Sequence, residues 1–305
     1  MRAEIGGRSL ELTHLDKVFW PDEGTTKGDV IEYYHKIAPQ ILPHLKDRPE
    51  SLNRHPNGIR GENFFQKDAG DDVPEWMATR KIHSGSEKKD INFVLCQDLA
   101  SLIFLANLGC IEINPWNSRV GRLDNPDYAV FDIDPRDIPF RAAVEAALVT
   151  REVLHDVGAK SYCKTSGAFG LHVFVPLGGK YNYDQAQLFT RLINMIVNSR
   201  LPETTSLERL PSKRKRAVYL DYLQNRRGQT MASAYSLRPR KGAPVSTPLK
   251  WDELKGGLDP LDFTMKTIHK RVARLGDLWK GVLGPGIDLE KCLDRVEKIR
   301  VKPIH

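Results

Sequence analysis

Asp132 and Asp134 stand two residues apart in the run Tyr-Ala-Val-Phe-Asp-Ile-Asp-Pro, residues 128–135. Side chains of a strand alternate between faces, so both carboxylates share one face, with Cα atoms roughly 7 Å apart. Two unpaired carboxylates that close repel each other and lose hydration. A divalent cation removes both penalties, and hard oxygen donors suit Mg2+ or Mn2+ better than zinc. Pro135 predicts that the strand ends there, beside open space. An ordinary strand end running into a turn is the bland alternative, because D-x-D is short. Asp221, within Ala-Val-Tyr-Leu-Asp-Tyr-Leu, is a third aspartate that apolar packing does not explain. If the two strands are neighbours, three carboxylates converge in the architecture of two-metal phosphoryl transfer from a nucleoside triphosphate to a 3′-hydroxyl.

A second group is Ser166-Gly-Ala-Phe-Gly-Leu-His172-Val173. Glycines ahead of a strand let backbone N–H groups approach a phosphate, and Ser166 adds a hydroxyl donor. His172 alternates with Phe174 and is expected to face that phosphate, although a lone strand histidine is commonly a satisfied core residue. No G-x-x-x-x-G-K-[ST] is present, which disfavours a P-loop ATPase.

These side chains need elements to hold them. The runs Tyr128–Asp134, Leu171–Leu177 and Val218–Leu223 read as strands, each apolar and rich in branched or aromatic residues. Thr26 with Asp29 reads as a helix start, followed by Val30, Tyr33, Tyr34, Ile37 and Ile41 at helical spacing. Residues 98–108 read as a buried helix stopped at Gly109. Pro139 opens another helix, with Val144, Ala147, Leu148 and Leu154 inward, and Leu188, Leu192, Ile193 and Ile196 mark a fourth.

The chain has 305 residues, 40% of them hydrophobic, enough for a sizeable core in one large domain or two smaller ones. No stretch reaches the ~18 apolar residues that would span a bilayer, and no signal-peptide pattern opens the chain, so a cytoplasmic location is expected. Cys96, Cys110, Cys163 and Cys292 lack zinc-site spacing and are expected to be buried thiols in a reducing compartment. The formal net charge of +7 suits a polyanionic partner. Basic clusters at Lys213, Arg214, Lys215 and Arg216, at Arg226-Arg227, and at Arg238-x-Arg240-Lys241 point the same way, with solvated loops as the plain alternative.

Asp132-x-Asp134, Ser166-Gly-x-x-Gly-x-His172 and Asp221 before Gln224-Asn225 occur in an order that resembles the archaeo-eukaryotic primase superfamily. The chain is most similar to the polymerase domain of the bacterial DNA ligase D family, from about residue 8 onward. Asn63-Phe-Phe-Gln-Lys67, Glu112-Ile-Asn-Pro-Trp-Asn-Ser-Arg119 and Ala234-Tyr-Ser-Leu-Arg238 extend the resemblance. It implies an α+β fold: a primase-like core of antiparallel or mixed sheets flanked by helices, with N-terminal elements packed on it. Residues 1–305 would form one domain, with a DNA-end-binding part over about 1–95 and a catalytic core over about 96–305.

The same resemblance implies roles. Asp132, Asp134 and Asp221 match metal ligands for two Mn2+ or Mg2+ ions. Ser166, His172, Arg214, Gln224, Arg238 and Asn114 match the pocket for an incoming NTP or dNTP. Lys17 and Lys27 match the site for a recessed 5′-phosphate, and Phe64, Phe65 and Arg54 match contacts to template and primer DNA. The phenylalanines also read as core, and the lysines as ordinary surface residues. The family repairs double-strand breaks by non-homologous end joining, so a Ku-like protein and a separate ATP-dependent ligase are implied partners in a prokaryotic, nucleoid-associated setting. Two positions depart from the pattern: Asn114 replaces a histidine of many relatives, and Phe169 a lysine of some. The expected activity is template-dependent gap filling. A primase, a non-catalytic DNA-end binding module and a metal-dependent nuclease remain the alternatives.

Overall fold

Thr26 caps the first long helix as its sequence predicts. Its side chain accepts from Asp29 N, and the Asp29 carboxylate accepts from Thr26 N in return. A computed structural model describes residues 1–70, 73–85, 87–214 and 216–300, so Lys215 of the basic cluster lies outside the described residues. The chain divides into two units. One comprises Met1–Gly121, Thr230–Thr247 and Leu261–Asp277; the other comprises Arg122–Gln229, Pro248–Pro260 and the described chain from Leu278.

The first unit holds three hairpins: β1 (Arg2–Ile5) with β2 (Arg8–Glu11), β3 (Val18–Trp20) with β4 (Thr25–Thr26), and β7 (Thr79–Ser84) with β8 (Lys89–Val94). It also holds an antiparallel sheet in the order β6 (Phe64–Gln66), β5 (Glu50–Arg54), β9 (Cys110–Pro115). Helix α1 (Lys27–Leu45) buries Val30, Tyr33, Tyr34, Ile37 and Ile41. Helix α2 (Leu99–Asn107) is capped by Asp98, whose carboxylate accepts from Ser101 N at 2.9 Å, and the chain turns at Gly109 with φ +79.

The second unit is built on one six-stranded sheet. Its order is β13 (Thr205–Ser206), β14 (Ala217–Asp221), β10 (Tyr128–Arg136), β12 (Leu171–Pro176), β11 (Tyr162–Thr165), β15 (Pro248–Leu249). All pairings are antiparallel except β13 with β14, so the sheet is mixed. Helices α3 (Phe140–Asp156) and α4 (Tyr183–Arg200) pack on the face that carries Phe131, whose ring meets Phe189 edge-on at 6.2 Å.

Four sequence expectations need correction. Strand β10 runs past Pro135 to Arg136, because β12 has already ended opposite Ile133 on the side where a donor would be missed. The run expected to continue to Leu223 stops at Asp221, and Leu223–Asn225 form a 3-10 turn. On α3 the buried stripe is Ala142, Ala143, Ala146, Ala147, Thr150, Val153 and Leu154, with Val144 and Leu148 only half-buried. On α4, Leu188 is exposed while Phe189, Ile193 and Ile196 are inward. Small residues let a helix lie close on a sheet, which shifts the buried stripe away from the largest side chains.

All four cysteines are buried, free thiols. Among the described residues no helix is long and apolar enough to cross a membrane.

Candidate functional site

Strand alternation puts Asp132 and Asp134 on the sheet face opposite α3 and α4. Antiparallel register then brings in residues distant along the chain. Asp132 lies opposite Asp221 of β14 on one side and opposite His172 of β12 on the other, and Asp134 lies opposite Tyr219. Directly paired residues project to the same face, so three carboxylates and one imidazole share it. Asp132 and Asp221 are partly exposed and Asp134 is exposed, at the sheet's open end.

Asn225 explains why β14 can stop so soon. Its side chain accepts from Val130 N at 2.8 Å and donates to Val130 O at 2.7 Å, closing the β10 edge that β14 no longer covers. The Asp221 carboxylate accepts from Leu223 N at 2.7 Å, which pins the turn that carries Gln224.

His172 Nε2 lies 3.4 Å from Asp132 Oδ1, and His172 Nδ1 lies 2.8 Å from Lys164 Nζ. The histidine is 5% exposed with both nitrogens partnered, so the core description fits its burial. Its partner at Nε2, however, is a carboxylate of the site. Lys164 carried no sequence signal beyond a lysine within the apolar strand before Ser166, and it is fully buried.

Ser166 joins β11 to β12 through a turn closed on itself. Its Oγ accepts from Ala168 N and from Gly170 N, both at 3.0 Å, and its N donates to Gly170 O at 2.9 Å. These two loop amides are spent on Ser166 and are not free to face a phosphate. A hydroxyl that accepts twice can serve a ligand only as a donor. Gly170 is required by a close approach, since a Cβ there would lie 2.4 Å from the Ile133 carbonyl oxygen. Phe169 is 61% exposed at the loop's tip. Arg214 lies with its guanidinium carbon 3.4 Å from the Tyr219 ring centroid, held by donation to Glu208 O and Arg209 O.

The remaining sequence candidates lie in the first unit. Lys27 is buried and donates to Thr13 O at 2.6 Å, while Lys17 donates to Pro56 O at 3.0 Å and Asn57 Oδ1 at 2.9 Å. Burial, then the charges of Lys17 and Arg54, pull the Lys27 pKa down to about 8. Crowded cations of this kind gain from an anion among them. Phe64 and Phe65 are 46% and 61% exposed, so they are not core, and the Arg54 guanidinium sits 5.2 Å from the Phe64 ring centroid. Arg238 pairs with Glu112 at 3.0 Å, and Asn53 donates to the same carboxylate oxygen at 3.4 Å. Asn114 is buried and donates to Ser51 O at 3.2 Å. Glu112 opened a motif of the resemblance without a role of its own, and Asn53 carried no signal in the sequence.

The donor set fits a divalent ion: carboxylate oxygens on one face, partly open to solvent. Among the described residues no group of three or more His, Cys, Asp or Glu is placed to hold a metal ion as it stands.

The family model "LigD, primase-polymerase domain" matches residues 26–279, and the chain belongs to that family. A LigD of Bacillus subtilis, named a bifunctional non-homologous end joining protein, is 34% identical over 88% of this chain and 43% of its own length. The multifunctional LigD of Pseudomonas aeruginosa is 29% identical over 93% of this chain and 34% of its own length. The chain thus spans less than half of these curated relatives. A solved structure titled as the polymerase domain of Mycobacterium tuberculosis Ligase D in complex with DNA superposes with a TM-score of 0.84 at 27% identity, covering 91% of this chain and 99% of that one. Family membership brings a general dependence on divalent metal.

Proposed function

We propose that this chain extends a primer 3′-hydroxyl at a DNA break, taking NTP or dNTP as substrate and filling short gaps during non-homologous end joining. The carrying observation is the cross-strand row of Asp221, Asp132 and His172, with Asp134 on the same face. The relatives' names as end-joining proteins, and the DNA complex of the M. tuberculosis domain, support the substrate class.

Asp132, Asp134 and Asp221 hold two divalent ions, Mn2+ or Mg2+. When bound, such ions lower the pKa of the attacking hydroxyl and neutralise charge on the triphosphate and departing pyrophosphate. Ser166 and His172 donate to the phosphate tail, with Arg214 and Gln224 assisting from the same unit. Arg238 and Asn114 also serve the nucleotide. Lys17 and Lys27 take the 5′-phosphate of a recessed end as point charges, Phe64 and Phe65 stack on template bases without reading sequence, and Arg54 contacts the DNA. The whole of residues 1–305 acts as one domain, its end-binding part within about 1–95 and its catalytic core within about 96–305. A Ku-like end-binding protein and an ATP-dependent ligase complete the repair in a prokaryotic cytoplasm, at the nucleoid.

Primer extension on gapped duplex carrying a 5′-phosphate, with Mn2+ and each nucleotide in turn, tests this. Templated additions by the wild type, lost in Asp132→Ala, are expected. No incorporation by the wild type, or undiminished incorporation by Asp132→Ala, overturns it. Synthesis without any primer would make the protein a primase, and nucleotide-independent degradation a nuclease.

A further inference from the structure

A buried ammonium forfeits its hydration, so the side chain that keeps it must find firm partners. Lys164 has no exposed surface, and its register partner is His172, itself opposite Asp132, which is opposite Asp221. Four neighbouring strands, β11, β12, β10 and β14, therefore carry one continuous row of charge-bearing side chains. Lys164 Nζ stands 2.8 Å from His172 Nδ1, and His172 Nε2 stands 3.4 Å from Asp132 Oδ1. The Phe174 ring flanks Lys164, its centroid 5.7 Å from Nζ.

Donor and acceptor rules fix the direction of this row. An ammonium can only donate and a carboxylate can only accept. An imidazole held between them has a bare Nδ1 and its hydrogen on Nε2. We propose that Lys164 is a positioning residue for the nucleotide's phosphate tail: it donates to His172 Nδ1 and so keeps His172 a donor from Nε2, on the face that carries the three aspartates. This deepens the polymerase reading and rests on it. Phosphate oxygens are acceptors, so the other tautomer would present them with a lone pair and repel them.

The first test uses the unaltered protein with 15N-labelled histidine. Two-bond proton–nitrogen correlation spectra, with His172→Gln identifying the signal, should show His172 unprotonated at Nδ1 and protonated at Nε2. A proton on Nδ1, in either the neutral or the cationic ring, overturns the proposal. The second test compares Lys164→Met, which cannot donate, with Lys164→Gln, which can. Loss of one charge-assisted hydrogen bond should raise KM for the nucleotide about tenfold in Lys164→Met, with kcat held within about threefold. Binding to 5′-phosphorylated DNA ends should not change, and Lys164→Gln should recover most of the loss. An unchanged KM, or equal defects in both variants, overturns the proposal. If Lys164→Met does not fold, as judged by circular dichroism, the spectra of the wild type decide. Failure of the underlying reading looks different: the wild type would incorporate nothing while His172 kept the stated tautomer.

Discussion

Asp132 and Asp221 face each other across β10 and β14, so two like charges sit on one sheet face with His172 completing the row. If these carboxylates hold the divalent ions as proposed, relief of that repulsion should make the folded protein respond to the ions. Adding Mn2+ without nucleotide should raise the thermal midpoint of the wild type, by an amount equal to about 2.7 kcal/mol of stabilisation at a hundredfold excess over Kd. Asp221→Asn should lose most of that rise and incorporate no nucleotide. Scanning calorimetry with and without chelator measures it; an equal rise in the variant would place the ion elsewhere.

Lys27 gives opposite pH slopes for stability and for binding. Its folded pKa is about 8 against an ordinary 10.5, lowered first by burial and then by Lys17 and Arg54. Between those values the unfolded chain holds the proton that the folded chain has released, so stability rises with pH across that window. A 5′-phosphate needs the charged form, so the preference for phosphorylated over hydroxyl ends should fall as pH rises through 8. Fluorescence anisotropy on both kinds of end, at pH values either side of that point, reads the effect. Lys27→Ala should flatten both slopes.

The Lys17 ammonium donates to Pro56 O at 3.0 Å and to Asn57 Oδ1 at 2.9 Å. Removing it as Lys17→Ala should shallow the salt dependence of end binding by about one charge. The defect should vanish on ends without a 5′-phosphate. A defect of the same size on both kinds of end would show that this lysine does not serve the phosphate.

Phe65 is 61% exposed, so Phe65→Ala should shift folding stability by no more than about 0.5 kcal/mol. Affinity for gapped DNA should nonetheless fall by about 1–3 kcal/mol, the worth of one base-aromatic stack. Urea melts and titration with gapped duplex separate the two. A large loss of stability with unchanged DNA affinity would assign the ring to packing.

Gly170 links the serine turn to the aspartate strand by close approach to the Ile133 carbonyl. Gly170→Ala should cost about 1–3 kcal/mol of stability through overpacking. It should also depress kcat beyond that cost, because the strain falls between Asp132 and Asp134. Retained kcat in a destabilised variant would show that β10 does not move.

Local chemistry was legible in the sequence wherever neighbours along the chain decide it. The period-2 alternation put Asp132 and Asp134 on one face, and the capping pair Thr26 and Asp29 started α1 where expected. The motif order was enough to indicate the family. Less was legible where packing decides: Leu188 looked inward by periodicity but is exposed, because Phe189, Ile193 and Ile196 face inward instead. That the Ser166 hydroxyl binds the amides of Ala168 and Gly170 was likewise set by the fold of the turn.

What the chain alone determined is the supply of chemistry: three aspartates in apolar strands, a histidine after a glycine turn, lysines and phenylalanines near the start. Only the tertiary structure decided which of them meet. Strand register depends on pairing between segments far apart along the chain, and a slip of one residue would send every side chain to the other face. That register set Asp221 against Asp132, and it brought in Lys164, a residue whose neighbours in sequence say nothing of its partner.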